Sequence, residues 1–300
     1  MTTNYKISYK DSDKSIKEYI EGFHLGKTKL HLLFQEKRVR LNGKPAVHQE
    51  ILKENDILTL EDREQLDYLP DPKKLDILFE DDYLLIVNKP CHILVHPDDK
   101  KKRGTMCNIV AYYYQNKGWS YPVRYAHRLD IDTTGILIFA KDSLTLAKLD
   151  YLISTHELKR TYLCLAKGRF KEKAGRIDAP IGEDRHHQQR KRISKTGKRA
   201  ITDYEVLKEY KGFSLVQVNL LTGRTHQIRV HLASIGHPIL GDELYGNLEG
   251  KAKRVMLHSY RVSFEHPVTK QIICLEKPIP YDMKKIIGGE ANDSNLSKKN

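Results

Sequence analysis

The stretch Tyr125-Ala126-His127-Arg128-Leu129-Asp130-Ile131-Asp132-Thr133-Thr134-Gly135 runs directly into the apolar segment Ile136-Leu137-Ile138-Phe139-Ala140. The first part brings together carboxylates, cationic or titratable groups, threonine hydroxyls and a glycine, whereas the second part predicts a buried β-strand. Catalytic groups are often presented by polar loops held against a strand. The same residue types also suit an ion-paired structural turn, so local composition leaves both interpretations open.

The segments around this stretch predict more strands than helices. Alternation of β-branched and aromatic residues predicts strands at Leu75–Val87, Ile93–Val95, Ile136–Ala140, Thr161–Ala166, Ala200–Leu207, Ser214–Leu221, Val262–Glu265 and Gln271–Leu275. Helical periodicity predicts helices at Met106–Gln115, Ser143–Thr155 and His226–Ile235. Because strands and helices do not alternate regularly, we expect an α+β domain with a largely antiparallel or mixed β-sheet and flanking helices.

The N-terminal part has a different pattern. Apolar residues at loose helical spacing between Ser15 and Phe34 predict two short helices. They are followed by a predicted hairpin at Arg38–Val47, with its turn at Asn42-Gly43, and by an extended segment at Asp56–Leu60. These elements indicate a small α/β domain.

Changes in composition predict the domain organisation. The acidic, proline-containing region after this small domain indicates a linker, and the C-terminal tail is rich in Gly, Asn, Ser and Lys with little apolar character. We therefore expect four parts: an N-terminal domain at residues 1–66, a linker at 67–74, a larger domain at 75–287 that is long enough for a catalytic core, and a disordered tail at 288–300.

The chain has 300 residues, a formal net charge of +13 and a pI near 9.3, which favours polyanionic partners such as nucleic acid without proving one. Its four cysteines form no CxxC pair, which argues against a structural zinc site and a disulfide framework. No apolar run reaches the length of a membrane span, about 18 residues. We expect a cytoplasmic protein with no membrane association.

Four motifs, in order, resemble those of the RluA-type RNA pseudouridine synthases. His127-Arg128-Leu129-Asp130 followed by Asp132-Thr133-Thr134-Gly135 is similar to the family's catalytic motif, with Thr134 in place of the usual serine. The other three are Val87–Pro90 with His96-Pro97, Lys159–Leu163, and Leu221–Leu232 continuing through Gly236–Asp242 to Gly246. Several ordered motifs are a much stronger signal than one short pattern. The resemblance implies an isomerase that acts on uridine in RNA.

The resemblance implies catalytic roles for three residues. Asp130 matches the family's essential aspartate, which would act covalently on the ribose or base, or as the base that starts a glycal route. Tyr162 matches a tyrosine that stacks on the target uracil and assists removal of the C5 proton. Arg229 matches a basic residue that keeps the carboxylate ionised and oriented. Without the motifs, Tyr162 would be a core strand tyrosine and Arg229 a surface arginine, while Asp132 is predicted to be a polar loop residue.

A uridine inside folded RNA must leave its stack before its C1′ atom can be reached. Arg128, next to His127, matches a family arginine that occupies the space the base leaves, where its guanidinium could hydrogen-bond neighbouring bases and stack on them. We therefore predict that both residues contact RNA.

Two further regions are predicted to contact RNA phosphates. The N-terminal helices and hairpin resemble the S4-like RNA-binding module and carry Lys27, Lys29 and Arg38, although Gly26-Lys27 stands where such modules usually have Ser-Arg. A basic hairpin at residues 185–199 carries Arg190 and Arg192 and suits phosphate contacts. In both regions the alternative is a solvated charged surface.

Pseudouridine formation involves no net redox change and no energy input, so no metal and no nucleotide cofactor are expected. The sequence contains neither a Gly-Lys-Ser/Thr phosphate loop nor a Gly-x-Gly-x-x-Gly fingerprint. We expect a monomer acting on structured RNA, with ribosomal RNA favoured and transfer RNA as the alternative. Two other classes stay open: a noncatalytic RNA-binding or ribosome-assembly protein, and a glycosidase or nucleoside hydrolase, which would explain Asp130 but not the basic hairpin.

Overall fold

The computed structural model describes residues 2–62, 68–97, 102–246 and 252–296. Its N-terminal elements are, in chain order, β1 (Thr2–Lys6), a 3-10 turn (Tyr9–Asp11), α1 (Ile16–Glu21), α2 (Lys27–Gln35), β2 (Val39–Leu41), β3 (Lys44–Pro45) and β4 (Ile57–Glu61). The two predicted helices and the hairpin are confirmed. Strand β1 was not predicted, because its exposed positions are polar and only Thr3 and Tyr5 face the core.

The rest of the chain forms a larger domain. Its elements are β5 (Ile77–Glu80), β6 (Leu84–Lys89), α3 (Met106–Asn116), β7 (Arg124–Tyr125), β8 (Thr134–Ala140), α4 (Ser143–Ser154), β9 (Lys159–Lys167), β10 (Ala174–Asp178), β11 (Ile181–Glu183), β12 (Lys191–Ile193), β13 (Ile201–Glu209), β14 (Phe213–Leu220), α5 (Gln227–Ser234), β15 (Leu257–Glu265), β16 (Ile272–Glu276) and α6 (Tyr281–Leu296). No helix among the described residues combines the length and apolar character needed to cross a membrane.

The main sheet has the strand order β10-β13-β14-β9-β15-β8-β6-β5, with β16 added beside β15 and β7 beside β8. Strands β8 and β15 are parallel and the other neighbouring pairs are antiparallel, so the predicted α+β class with a mixed sheet is confirmed. Strand β8 is buried along its whole length. Leu137 and Phe139 face the core that includes α3, whereas Ile136 and Ile138 face the core that includes α4, so both faces of the strand are covered.

The start of β8 depends on Gly135. Its φ is +106°, and a Cβ atom at this position would lie 2.2 Å from the backbone oxygen of Ser259 on β15. Only glycine permits this close approach with this backbone conformation. The side chain of Thr134 is hydrogen-bonded to Nδ1 of His258 over 2.8 Å, which ties the same point to β15. The polar loop before β8 is therefore fixed at its C-terminal end.

Two sequence predictions need correction. The segment Ile93–Val95 is not a strand, because the carbonyl oxygens of Leu94 and Val95 accept hydrogen bonds from the first backbone N–H groups of α3, both at 2.9 Å. The tail predicted to be disordered from Gly288 is instead helical to Leu296, since α6 starts at Tyr281 and no proline interrupts it. Residues 297–300 lie outside the described part, as do residues 63–66 at the end of the predicted N-terminal domain and residue 67, the first of the predicted linker.

The N-terminal domain is packed against α4 of the larger domain. Tyr5 is completely buried, and its hydroxyl donates to Oδ1 of Asp142 at 2.6 Å, the residue that caps the N-terminus of α4. Leu144 of α4 belongs to the hydrophobic core of the N-terminal domain, and the rings of His24 and Tyr151 stack with their centroids 3.4 Å apart. The two domains therefore share a continuous interface.

Candidate active site

A cleft of about 830 Å³ lies between the loop before β8, strand β9 and the segment that leads into α5. Five residues predicted from the sequence line it together: His127, Arg128, Asp130, Tyr162 and Arg229. The first and the last of these residues, His127 and Arg229, are 102 positions apart in the sequence. The remaining lining residues that matter here are His96, Tyr125, Arg160 and the loop Thr222–His226.

Asp130 is paired with Arg229 at one side of the cleft. The Arg229 guanidinium donates through Nη1 to Oδ2 of Asp130 at 3.3 Å, and through Nε and Nη2 to the two carboxylate oxygens of Asp242 at 2.7 and 2.8 Å. Asp242 is fully buried, whereas 24% of the Asp130 side chain is exposed to the cleft. Although burial opposes the charge on Arg229, its hydrogen bonds with Asp242 raise its pKa further above the usual range. Asp242 therefore fixes a permanently charged guanidinium, which presents one N–H to Asp130.

Asp242 and Tyr245 contact Arg229, and the sequence interpretation assigned neither of them to the site. The guanidinium carbon of Arg229 lies 5.2 Å from the centre of the Tyr245 ring, and that of Arg190 lies 5.4 Å from it. The Tyr245 hydroxyl also accepts a hydrogen bond from the backbone N–H of Lys191 at 2.7 Å. Both residues lie in the motif run that ends at Gly246, but no local spacing shows that they contact Arg229. Tyr245 thus connects the basic hairpin to the Asp130–Arg229 pair.

Two buried cations hold the backbone of the loop that carries Asp130. Lys89 is completely buried, and its Nζ donates to the carbonyl oxygens of Pro90, Ile93 and Ile131 at 2.9, 2.6 and 2.9 Å. Burial lowers the pKa of Lys89 to about 8. Nη1 of Arg254 donates to the carbonyl oxygen of Asp132 at 3.0 Å. The catalytic loop is therefore preorganised before substrate binds.

Asp132 is placed differently from Asp130. Its carboxylate is hydrogen-bonded to Nδ1 of His92 over 2.8 Å, and it is not among the residues that line the cleft. This position agrees with the prediction that Asp132 is a polar loop residue. Of the two carboxylates in the motif, Asp130 is the one that faces the cleft.

Tyr162, Arg160 and His127 form the inner surface of the cleft. Burial raises the pKa of the Tyr162 phenol, and Asp130 acts in the same direction while Arg160 opposes it, so Tyr162 is neutral. Burial, assisted by Arg160, lowers the pKa of His127 to about 3. Neither ring nitrogen of His127 has a hydrogen-bond partner among the described residues. This surface therefore contains neutral rings and one buried guanidinium.

The mouth of the cleft is formed by Arg128 and the segment before α5. Arg128 is exposed, with Nη1 3.2 Å from Nε2 of His96 and Nη2 3.4 Å from Oγ1 of Thr225. Thr225 is not the N-cap of α5. The N-cap is His226, in the left-handed conformation with a φ of 58°, and the Gln227 side chain accepts the backbone N–H of Arg224 at 3.0 Å.

The other predicted RNA-binding residues lie outside the cleft. Arg190 is exposed just before β12, Arg192 is exposed on β12 itself, and Lys27 and Lys29 are exposed on α2. The guanidinium of Arg38 donates to the Glu61 carbonyl at 2.8 Å and forms ion pairs with Glu36 and Asp62 at 3.5 and 3.6 Å. Its contact with RNA stays a prediction.

Comparison with known proteins gives the family. Residues 83–234, about half of the chain, match the family described as RNA pseudouridylate synthase. The chain belongs to this family. It is therefore a pseudouridine synthase, an isomerase whose substrate is uridine in RNA. Residues 4–58 match the description "RluD ribosomal pseudouridine synthase N-terminal domain", which agrees with the predicted accessory domain.

Relatives of this pseudouridine synthase cover most of its length. It is 43% identical to an uncharacterized RNA pseudouridine synthase of Bacillus subtilis strain 168, over 83% of this chain and 84% of that protein. It is 39% identical to the ribosomal large subunit pseudouridine synthase D of Nitrosomonas europaea, over 71% of this chain and 64% of that protein. Among solved structures, human RNA pseudouridylate synthase domain containing 1 matches with a TM-score of 0.57 and 27% identity, over 70% of this chain and 87% of that one.

Proposed function

We propose that this pseudouridine synthase modifies uridine in large-subunit ribosomal RNA and that Asp130 is its catalytic carboxylate. The observation that supports the catalytic assignment is the contact between Asp130 and Arg229 in a cleft that also contains Tyr162. The RNA class is supported by relatives named ribosomal large subunit pseudouridine synthase D, at 39% and 33% identity.

The reaction breaks the bond between uracil N1 and ribose C1′, forms a bond between C5 and C1′, and transfers one proton from C5 while N1 gains one. Asp130 starts it either by attack on C1′ or by removing a ribose proton to give a glycal. In either route Asp130 reacts as a carboxylate, and Arg229 orients it by a charge-assisted hydrogen bond.

In this proposal the uracil stacks against the flat ring of Tyr162, and the Tyr162 hydroxyl assists proton transfer at C5. Arg128, at the mouth of the cleft, enters the space that the flipped base leaves in the RNA. We further propose that residues 1–66 are an RNA-binding domain that uses Lys27 and Lys29, and that residues 75–287 are the catalytic domain.

The RNA class is tested by deleting the gene and mapping pseudouridine in total RNA with a carbodiimide adduct and primer extension. We expect at least one site in large-subunit ribosomal RNA to disappear, and to return when the wild-type gene, but not Asp130→Asn, is supplied. Loss of a site in transfer RNA alone would contradict the ribosomal assignment. Restoration of the site by Asp130→Asn would contradict the catalytic assignment.

A further inference from the structure

Arg160 is a buried cation to which no described carboxylate is paired. It is only 5% exposed, and its Nε has no hydrogen-bond partner among the described residues. Within the described part of the chain, no carboxylate forms an ion pair with it. A buried charge is strongly destabilising unless it is paired, so an unpaired one at a binding cleft indicates a ligand of opposite charge.

The position of Arg160 places this charge next to the reacting nucleotide. Arg160 and Tyr162 are two residues apart on β9, so both side chains leave the same face of the strand, and both line the cleft. The Arg160 charge also lowers the pKa of both His127 and Tyr162, as expected for a group close to both rings. Whatever binds Arg160 therefore lies close to the uracil that Tyr162 receives.

A glycine opens the space around the Arg160 guanidinium. A Cβ atom at Gly223 would lie 3.3 Å from Nη1 and 3.7 Å from Nη2 of Arg160. The backbone of the loop Thr222–Thr225 therefore passes directly over the guanidinium, and Gly223, Arg224 and Thr225 are exposed on the cleft side. A side chain at position 223 would partly fill the space that a ligand of Arg160 needs.

Two more arginines surround the same loop. Arg224 belongs to it, and its Nε donates to the carbonyl oxygen of Arg199 at 3.0 Å. Arg128 contacts Thr225 from the other side, as described above. Neither guanidinium is paired with a carboxylate in the described ranges. Three unbalanced guanidiniums thus lie around one short loop, and only one of them is buried.

We propose that Arg160, together with the loop Thr222–Thr225, binds a backbone phosphate next to the target uridine. This inference rests on the RNA-modifying function proposed above and adds a binding site to it. Uracil and ribose carry no charge before reaction, whereas a phosphodiester carries a permanent negative charge that offsets the buried guanidinium. The planar fork of arginine can donate two parallel hydrogen bonds to two phosphate oxygens. Arg160 is therefore a substrate-binding residue, separate from the Asp130–Arg229 pair.

The test uses the full-length protein and a short fluorescein-labelled oligouridylate, in which a uridine needs no unpairing to enter the cleft. Binding is measured by fluorescence anisotropy at several KCl concentrations for the wild type and for Arg160→Gln. We expect the variant to bind about tenfold more weakly at low salt, and the slope of log K against log[KCl] to be smaller by about 0.7, the value for one phosphate contact in a single strand.

Two variants serve as controls. Arg160→Lys keeps the charge but not the fork, so it should keep the slope and lose part of the affinity. Arg176→Gln removes an exposed arginine that is paired with Asp203, and should bind like the wild type. If Arg160→Gln does not fold, as judged by circular dichroism, Gly223→Ala replaces it, with an expected loss of several-fold in affinity.

Wild-type affinity and slope in folded Arg160→Gln, or wild-type affinity in Gly223→Ala, would overturn the inference. So would a lower kcat with unchanged KM on the mapped RNA substrate, because that result would place Arg160 at the reacting base. The oligouridylate measurement needs no knowledge of the modified RNA. If mapping shows that ribosomal RNA is not the substrate, the phosphate site can therefore still be supported or rejected.

Discussion

Two arginines in the same cleft show two different uses of a buried charge. Arg229 is held between Asp130 and the fully buried Asp242, with all of its contacts to carboxylates between 2.7 and 3.3 Å. Arg160 is equally buried, at 5% against 6% exposure, but is unpaired within the described part of the chain. The difference indicates that Arg229 has its carboxylate partners without substrate, whereas Arg160 obtains its negatively charged partner from the substrate.

We therefore assign different roles to the two sides of the cleft, with Arg229 supporting the reaction and Arg160 supporting RNA binding. In the proposed mechanism, Arg229 orients the carboxylate of Asp130 through its hydrogen bond, which stabilises the transition state. The Arg160 side attracts a charge that is present in substrate and transition state alike, so it affects binding more than the chemical step. Substitutions on the two sides should therefore change different kinetic constants.

The largest effect is expected from Arg229→Gln. Removing this guanidinium leaves Asp242 buried without its two charged donors, which should lower the free energy of unfolding by about 3–5 kcal/mol. Asp130 also loses its donor, so we expect kcat to fall about 10²–10³-fold. Urea unfolding and steady-state kinetics measure the two effects.

The matched control is Arg176→Gln, which breaks an arginine–aspartate pair of the same geometry on the exposed surface of β10 and β13. It should cost less than about 1 kcal/mol and leave kcat unchanged. Equal loss of stability in the two variants would contradict the account of the Asp242–Arg229 pair.

A smaller effect is expected in the pH dependence of stability. The pKa of His127 falls from 6.5 in the unfolded chain to about 3 in the folded protein. The unfolded state therefore binds more protons between these values, and stability falls as the pH falls below 6.5. Between pH 7 and pH 5 the wild type should lose about 2 kcal/mol more than His127→Gln, as measured by urea unfolding.

His187→Gln, which replaces an exposed histidine, should follow the wild type in the same titration. The prediction fails if His127→Gln shows the wild-type pH dependence. Because Arg160 contributes to the low pKa of His127, Arg160→Gln should also reduce this acid sensitivity.

The smallest effect is expected in the N-terminal domain. The double variant Lys27→Gln/Lys29→Gln should bind the mapped RNA a few-fold more weakly, with a salt slope smaller by about 1–2, and should bind the short oligouridylate like the wild type. Arg38→Gln is the control, since its charge is already balanced by Glu36 and Asp62. A weaker affinity for the RNA in Arg38→Gln than in the double variant would contradict the proposal that Lys27 and Lys29, rather than Arg38, bind the RNA.

The sequence predicted α1 to α5 and most central strands because their apolar periodicity is strong. It missed α6, and it missed β10 and β11, which are short strands with Gly175, Arg176 and Gly182 among their residues. It wrongly predicted a strand at Ile93–Val95, because the apolar pattern cannot show that these backbone oxygens bind the N-terminus of α3.

The candidate site was predicted in part. The motifs located Asp130, Tyr162 and Arg229, whereas the contact between Arg229 and Asp242 depends on tertiary packing and has no spacing signal. The burial of Arg160, in contrast, is indicated by its spacing from Tyr162. It lies two residues before Tyr162, one position ahead of the predicted strand Thr161–Ala166, and strand alternation extended by that one residue places the two side chains on one face.

The most direct test is a single-turnover assay that counts tritium released from RNA labelled at uridine C5, since forming pseudouridine removes that hydrogen. Asp130→Asn and Asp132→Asn are compared with the wild type, and RNA affinity is measured for each. We predict a rate at least about 10⁴-fold lower for Asp130→Asn at unchanged affinity, and a rate close to wild type for Asp132→Asn. Tritium release by Asp130→Asn at a rate near that of the wild type would contradict the account.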